Sequence, residues 1–265
     1  MRDPVDVERR LEDAGAIGGR VESSFGVDEV STVDRLLQWI DASDGTMPFF
    51  AAYLPTAGHH PYATNLPGPF AGNDDFDRYR NALHEADAAV ARLLEGFRAR
   101  GLDRDTVVTI VGDHGEAFGQ HPANTGHTLS VYDENVHVPW LVSVPGRTAG
   151  ARVSTVRSLV DVPSTLRELA GLPHDPADQG LGLHTRPDPV ALFFTDYSLE
   201  LAGLRDGCWT YLFDAGADRS QLFDVCADPR QAHDRSPDAP ARVDAYRRRV
   251  ETAILGRSGN MVRQR

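Results

Sequence analysis

An apolar strand that runs directly into a turn of polar residues constrains this sequence more than any other feature. Residues 106–111 are mostly β-branched, which predicts a central parallel strand buried on both faces. Gly112, Asp113, His114 and Gly115 follow it without a break. Because ligands gather at the carboxyl ends of the strands in parallel α/β sheets, we expect a functional site at this turn.

Asp113 and His114 are the candidate ligands of a metal ion at this turn. A carboxylate and an imidazole placed side by side can face one cation, and both suit Zn²⁺ or Mn²⁺. The alternative is that Asp113 caps a following helix while His114 lies on the surface. Histidine clustering favours the metal site. Five of the ten histidines lie in loops that follow predicted strands: His59, His60, His114, His121 and His127.

Hydrophobic periodicity predicts an α/β domain followed by a smaller appendage. The elements predicted before residue 187 are a helix at 33–40, a buried strand at 48–54, an amphipathic helix at 77–100, a strand at 136–144 and a helix at 161–171. Short strands separated by turns then precede a closing helix at 239–255, which predicts a small antiparallel appendage. The predicted domains are therefore residues 1–186 and residues 187–265.

Charge narrows the range of functions. The net charge is −12, which argues against a nucleic-acid-binding protein, because such a surface is basic. All 27 cationic residues are arginines, so no step here can use a lysine as a general acid or phosphate clamp. An acidic protein that handles anionic esters needs a metal ion or a local arginine cluster to offset its own field.

The sequence predicts neither a disulfide framework nor a membrane-spanning segment. Two cysteines, Cys208 and Cys226, do not predict a disulfide framework. No stretch approaches the roughly 18 apolar residues that cross a bilayer. Residues 1–12 also lack the apolar core of a signal peptide. We therefore expect a soluble chain, cytoplasmic by default.

An ordered set of short motifs resembles a known family. Residues 111–121 contain Asp-His-Gly-Glu, residues 126–127 are Gly-His, residues 131–139 contain Tyr-Asp-Glu and end in Val-Pro, and residues 145–146 are Pro-Gly. Residues 59–62 are similar to the family's His-x-Pro-Tyr loop. Together these motifs resemble the sulfatase and phosphoglycerol-transferase branch of the alkaline-phosphatase-like superfamily.

The resemblance covers about residues 45–255 and implies both a fold and an activity. The implied fold is an alkaline-phosphatase-like three-layer α/β sandwich, partial here, with a mixed and mostly parallel sheet and a small antiparallel carboxyl-terminal subdomain. The implied activity is metal-dependent hydrolysis or transfer of a small anionic sulfate or phosphate ester. Mn or Zn is favoured over Ca as the divalent ion, since imidazole suits softer cations. The Asp-His pair, in place of Asp-Asn, also favours phosphoester chemistry.

Site roles follow from the resemblance residue by residue. Asp113 and His114 would bind the metal that polarises the ester. His59 is the better match to the histidine that contacts the transferred group or leaving oxygen, and His60 is the fallback. His127 would sit over the substrate as an acid, a hydrogen-bond donor or a further ligand. Three other motif residues are interpreted as supporting or structural: Glu116, His121 and Tyr132.

The sequence departs from the family pattern because it shows no nucleophile. The family takes its nucleophile and the opposing metal ligands from an amino-terminal third, which we do not find here. The nearest string to a formylglycine motif is residues 226–230, where the proline comes one position late. Two explanations stay open. The chain is an incomplete unit, completed by a missing segment or by a partner in a split enzyme, or it is a non-catalytic module that binds an anionic ligand.

The missing part also bears on localisation, because membrane-anchored relatives carry their transmembrane helices there. The sequence leaves the oligomeric state open.

Overall fold

The computed structural model describes residues 12–23, 26–43, 45, 47–147, 150–182, 190–195 and 200–263. The chain divides into two compact units, Met1–Thr106 and Val107–Arg265, which are described separately below. Within the described residues, no helix combines the length and the apolar character that crossing a bilayer requires. The predicted domain boundary between residues 186 and 187 stays a prediction.

Two packed helices form the centre of the first unit. Its elements in chain order are α1 (Ala14–Ile17), β1 (Val21–Ser23), β2 (Gly26–Val27), α2 (Glu29–Ala42), α3 (Asp75–Ala99) and a 3₁₀ turn (Leu102–Arg104). β1 and β2 pair in antiparallel fashion. The helices predicted at 33–40 and 77–100 are confirmed as α2 and α3.

The sequence explains where α2 begins and how closely α3 approaches it. The side chain of Asp28 accepts a hydrogen bond from the amide of Ser31 at 2.8 Å, which satisfies a donor that the first helical turn leaves unpaired. Val33, Leu37 and Ile40 of α2 are buried, as are Leu93 and Phe97 of α3. Gly96 on α3 permits the close approach, because a Cβ there would lie 2.6 Å from the side chain of Leu37.

Residues 48–54 form no strand, so the buried strand predicted there is wrong. No strand pairs with this segment in the part of the chain that is described, and Phe50 and Leu54 are 78% and 79% exposed. Phe49 packs edge-on against Trp39, with ring centroids 5.9 Å apart. An apolar run becomes a buried strand only where neighbouring strands pair with it, and local sequence does not report those neighbours.

The second unit opens with short elements that carry the predicted site. They are β3 (Val108–Val111), β4 (Ala117–Phe118), β5 (Thr125–Gly126), α4 (Asp133–Val136), β6 (Trp140–Ser143) and α5 (Asp161–Leu169). The helix predicted at 161–171 is confirmed as α5. The strand predicted at 136–144 is shorter than expected, since it forms only as β6.

β3 pairs with β6 rather than lying in a parallel sheet. The register runs from Val108 opposite Ser143 to Val111 opposite Trp140, and the pairing is antiparallel. Ile110 is 40% exposed. The prediction of a parallel strand buried on both faces is therefore wrong for this strand. β-branched residues favour a strand, but they do not determine the direction of the strand beside it.

A four-stranded antiparallel sheet completes the second unit and confirms the predicted antiparallel appendage. Its strands are β7 (Val190–Phe194), β8 (Leu201–Asp206), β9 (Trp209–Asp214) and β10 (Arg219–Asp224), in spatial order β10-β9-β8-β7. A 3₁₀ turn (Ser236–Asp238) leads to α6 (Pro240–Arg263). Tyr246 and Val250 of α6 pack on one face of the sheet. The other face packs against Val131, which lies in the loop before α4.

Cys208 and Cys226 form a disulfide, which the cysteine count did not predict. The pairing follows from strand register. Trp209 lies opposite Asp224 in the β9–β10 ladder, so the residues just beyond that pair are brought together. A count of cysteines contains no information on register, which explains why the sequence missed this bond.

Candidate active site

The turn after β3 is held by backbone hydrogen bonds to the segment 135–139. The amide of Gly112 donates to the carbonyl of Pro139 at 3.1 Å, and that of Gly115 donates to the carbonyl of Asn135 at 2.8 Å. Gly115 cannot carry a side chain here, because a Cβ would lie 2.1 Å from the carbonyl oxygen of Glu134. The glycine therefore fixes the turn close to α4.

Asp113 and His114 are oriented so that both can bind one cation. Nδ1 of His114 lies 2.9 Å from the carbonyl oxygen of Gly115. Because a carbonyl only accepts, Nδ1 carries the hydrogen and Nε2 is the nitrogen that could bind a metal. Nε2 lies 3.6 Å from Oδ2 of Asp113. Two ligand atoms that bind one zinc at about 2.1 Å are roughly 3.4 Å apart, so the pair fits a divalent metal ion.

His127 lies directly against His114. The two imidazole rings stack with centroids 3.9 Å apart and planes 24° apart. Nδ1 of His127 donates to Oε2 of Glu116 at 2.7 Å, and that carboxylate is only 10% exposed. The ligand atoms of His114, Glu116 and His127 all lie within 4.8 Å of one another.

The stacking of the two rings suits His114 and His127 to different roles. A nitrogen lone pair lies in the plane of its ring, so two nearly parallel rings direct their lone pairs side by side rather than at one point. His114 can therefore bind a cation with Asp113 while His127 remains beside it as a proton donor or acceptor. The carboxylate of Glu116 orients the ring of His127, in the way that a carboxylate orients an imidazole in many catalytic sites.

A polar network supports the loop that carries His127. Nδ1 of His121 lies 2.6 Å from Oε1 of Glu134, and its ring stacks on Tyr132 with centroids 3.7 Å apart. The buried amides of Asn124 and Asn135 bond to each other at 2.7 Å. These contacts agree with the supporting role expected for His121 and Tyr132. The two asparagines were not identified from the sequence, since no spacing motif marks them.

The carboxyl-terminal sheet also contributes to this support. Oε1 of Gln231 accepts a hydrogen bond from the amide of Asp133 at 2.8 Å. Arg205 on β8 forms an ion pair with the carboxylate of Asp133 at 3.1 Å. The start of α4, and with it the segment that holds Gly115, is thus fixed by side chains that lie far away in sequence.

His59 and His60 belong to the first unit and are described within it. The amide of His59 donates to the carbonyl of Thr56 at 3.1 Å, and Nδ1 of His59 lies 2.9 Å from the carbonyl of its neighbour. His60 is exposed, and the peptide bond between it and Pro61 is cis. The ring of His60 contacts Tyr62 edge-on at 5.5 Å.

A buried carboxylate holds the loop that carries these histidines. Oε1 of Glu29 accepts hydrogen bonds from the amides of Thr56 and Ala57 at 2.6 and 2.7 Å, and the hydroxyl of Tyr53 donates to Oε2. Glu29 is 1% exposed. Burial raises the pKa of this carboxyl, and the two amide hydrogen bonds oppose the rise. No motif in the sequence marks Glu29 for this role.

Comparison with known proteins identifies the family. The model of the sulfatase family matches residues 15–172, which is more than half of the chain. The chain belongs to the sulfatase family. Arylsulfatase K of Xenopus laevis is 25% identical over 260 residues, which cover 87% of this sulfatase chain and 48% of the relative. Arylsulfatase K of Bos taurus is 30% identical over 166 residues, which cover 55% of this chain and 30% of the relative. The ulvan-active sulfatase of Formosa agariphila is 30% identical over 162 residues, which cover 55% of this chain and 31% of the relative.

Solved structures show the fold of this sulfatase chain. Ps i-CgsB, solved with k-i-k-neocarrahexaose, aligns with a TM-score of 0.69 and 21% identity, over 88% of this chain and 55% of the other. A protein solved with its substrate, D-glucosamine-2-N,6-O-disulfate, aligns with a TM-score of 0.57 and 17% identity. The alignment covers 68% of this chain and 40% of the other. The predicted α/β fold class is confirmed. The chain spans about half, or less, of the length of the curated relatives it matches.

Proposed function

We propose that this chain provides the metal-binding half of an enzyme that hydrolyses sulfate esters. One observation carries the proposal: Nε2 of His114 and Oδ2 of Asp113 lie 3.6 Å apart, with the imidazole oriented by the carbonyl of Gly115. Membership of the sulfatase family and the arylsulfatase names of the relatives support the sulfate ester as substrate. A phosphate ester is the competing substrate, so the turnover of the two kinds of ester is compared below.

Each proposed role uses a group of this chain. Asp113 and His114 would hold the divalent ion, Mn or Zn in preference to Ca, and that ion would supply Lewis-acid polarisation of the ester. His127 donates a proton to the leaving oxygen, and the carboxylate of Glu116 keeps its ring in place by accepting from Nδ1. His59, with His60 as fallback, contacts the transferred group or the leaving oxygen.

The proposal also requires that another segment or a partner chain supplies the nucleophile and the opposing metal ligands. Two findings support this. The sequence contains no Cys-x-Pro-x-Arg string, and the chain corresponds to only 48% of arylsulfatase K from Xenopus laevis. Since a half-site can still bind a cation, metal binding is the property to test first in the chain by itself.

The first test measures metal-linked stability. The disulfide-bonded chain is stripped with a chelator and titrated with Mn²⁺, an ion that disfavours sulfur ligands. We expect Mn²⁺ to raise the melting temperature, because a ligand that binds only the folded state stabilises it. Asp113→Ala and His114→Ala should abolish the rise. His84→Ala and Asp103→Ala, at exposed positions, should leave it unchanged. A wild-type chain that shows no rise would contradict the proposal.

The second test measures turnover. The chain is tagged in its native host and purified with whatever accompanies it, and hydrolysis of an aryl sulfate is compared with that of an aryl phosphate. We expect faster hydrolysis of the sulfate and a loss of activity in Asp113→Ala. Loss of one transition-state interaction of this kind typically lowers kcat by about 10²–10³-fold. Activity that survives the substitution would show that the turnover belongs to another protein.

A further inference from the structure

A second cluster of potential ligands lies at one end of the carboxyl-terminal sheet, apart from the candidate active site. Cys208 lies in the turn between β8 and β9, and Cys226 lies just after β10. The disulfide joins them, and their sulfur atoms lie within 4.8 Å of a carboxylate oxygen of Asp224. The proposed hydrolysis does not use any of these three side chains.

The backbone around this cluster is held by hydrogen bonds that do not depend on the disulfide. Trp209 and Asp224 form the last pair of the β9–β10 ladder, and the amide of Val225 donates to the carbonyl of Cys208 at 2.8 Å. Oδ1 of Asp224 accepts a hydrogen bond from the amide of Cys226 at 3.2 Å. Reduction of the disulfide would therefore leave the two thiols side by side.

We propose that the reduced protein binds a thiophilic divalent cation, Zn²⁺ or Cd²⁺, through Cys208, Cys226 and Asp224. Two thiolates and one carboxylate supply three ligands of a tetrahedral site, and water supplies the fourth. Zinc binds sulfur at about 2.3 Å, which places two such ligands roughly 3.8 Å apart. The Cα atoms of the two cysteines are 5.2 Å apart, so the separated thiols can reach that distance. Thiolates select such ions over Mg²⁺ and Ca²⁺. Cys226 is exposed, so both a reductant and an ion have access from solvent.

The disulfide and the cation exclude each other. A dithiol reductant transfers two electrons and two protons, so the bond between the sulfur atoms breaks, two thiols form and the reductant becomes a disulfide. Each thiol then loses its proton as it binds the cation. The end of the sheet is thus cross-linked by a covalent bond under oxidising conditions and by a metal ion under reducing conditions.

The test follows thiolate–cadmium absorbance in the full chain. Because the protein has two cysteines, any such absorbance comes from this pair. The chain is reduced with a phosphine, stripped of metal with a chelator and titrated with Cd²⁺. We expect the ultraviolet charge-transfer band to saturate at one ion per chain. The oxidised chain and Cys208→Ser should not form the one-ion complex, and Asp224→Asn should weaken binding at least about tenfold.

Controls separate this site from the candidate active site. Asp238→Asn removes a carboxylate that is 62% exposed and lies outside the cluster, so its titration should match the wild type. Asp113→Ala should keep the band, which shows that the result does not depend on the proposed hydrolysis. The proposal is overturned if the reduced chain shows no band, saturates at half an ion per chain, binds equally well after Asp224→Asn, or loses its sheet by circular dichroism.

Discussion

Single hydrogen bonds at the turn after β3 set the chemistry of individual side chains. The bond from Nδ1 of His114 to the carbonyl of Gly115 directs Nε2 towards Asp113, and the bond from Nδ1 of His127 to Glu116 orients the second ring. Neither bond is encoded by residue type alone, since each imidazole has two nitrogens that could donate. The backbone position of one glycine and one carboxylate selects the tautomer in each case.

A residue-scale prediction concerns Glu29, the buried carboxylate that holds residues 53–57. Glu29→Ala should lower the free energy of unfolding by about 2–4 kcal/mol, because the partly buried amides of Thr56 and Ala57 lose their acceptor. Glu29→Gln keeps an acceptor and should cost less. Urea unfolding of the three proteins measures both values. A Glu29→Ala protein as stable as the wild type would contradict the proposed role.

The raised pKa of Glu29 adds a pH dependence to the same comparison. The stability that comes from its proton is fully present below the unfolded pKa, near 4.5, and is lost as pH rises through the raised folded pKa. Gln has no such loss, so the stability of Glu29→Gln relative to wild type should increase with pH across that window. Glu95→Gln, at an exposed position, should show no such trend.

At the scale of elements, α6 and the four-stranded sheet stabilise each other. Val250 is 1% exposed against the sheet, and the hydroxyl of Tyr246 donates to Oδ2 of Asp206 at 2.7 Å. Burial, followed by the nearby carboxylate, raises the pKa of Tyr246 to about 12. This tyrosine therefore remains a neutral donor at any physiological pH, and the helix stays attached through both apolar and polar contacts.

The prediction at this scale is that Val250→Ala loosens α6. The substitution removes two buried methyl groups and leaves a cavity, so we expect the free energy of unfolding to fall by about 2 kcal/mol. Arg248 lies two residues before Val250 and is exposed. Arg248→Ala should therefore change the free energy of unfolding by less than about 0.5 kcal/mol. Equal effects of the two substitutions, measured by denaturant unfolding, would show that Val250 does not anchor the helix.

At the scale of the whole molecule, net charge opposes the proposed substrate. The chain has a net charge of −12, while a sulfate ester is an anion. Like charges repel over distances up to about the Debye length, which shrinks as salt is added. The cation proposed at Asp113 and His114 would offset this repulsion only locally, so the other charges of this chain would still slow the approach of the proposed ester.

We therefore predict that salt accelerates capture of the substrate. Between about 0.01 M and 0.15 M ionic strength, kcat/KM of the purified active preparation for an aryl sulfate should rise roughly twofold or more. The same series with a chloride and a perchlorate salt controls for specific ion effects. A steady fall in kcat/KM with salt would mean that a local cluster of arginines, rather than the net charge, governs the encounter.

Much of the candidate site could be predicted from the sequence, and parts of the fold could not. The segment that contains Asp113 and His114 was located because a β-branched run before a Gly-Asp-His-Gly turn is a local pattern. Helices α2, α3 and α5 were found because their apolar periodicity is local too. The apolar run at 48–54 predicts a buried strand that does not form, and the parallel pairing predicted for β3 is wrong, because strand partners come from residues far away in sequence.

The sequence by itself determined the family and the antiparallel carboxyl-terminal sheet, and it predicted the candidate metal-ligand pair Asp113 and His114. Only the tertiary structure decided the contact of Glu116 with His127, the contact of Gln231 with the start of α4, the burial of Glu29 and the disulfide between Cys208 and Cys226. The physical reason is the range of the interactions. Periodicity and turn motifs act over a few neighbouring residues, whereas these contacts depend on strand register and on packing between segments that only folding brings together.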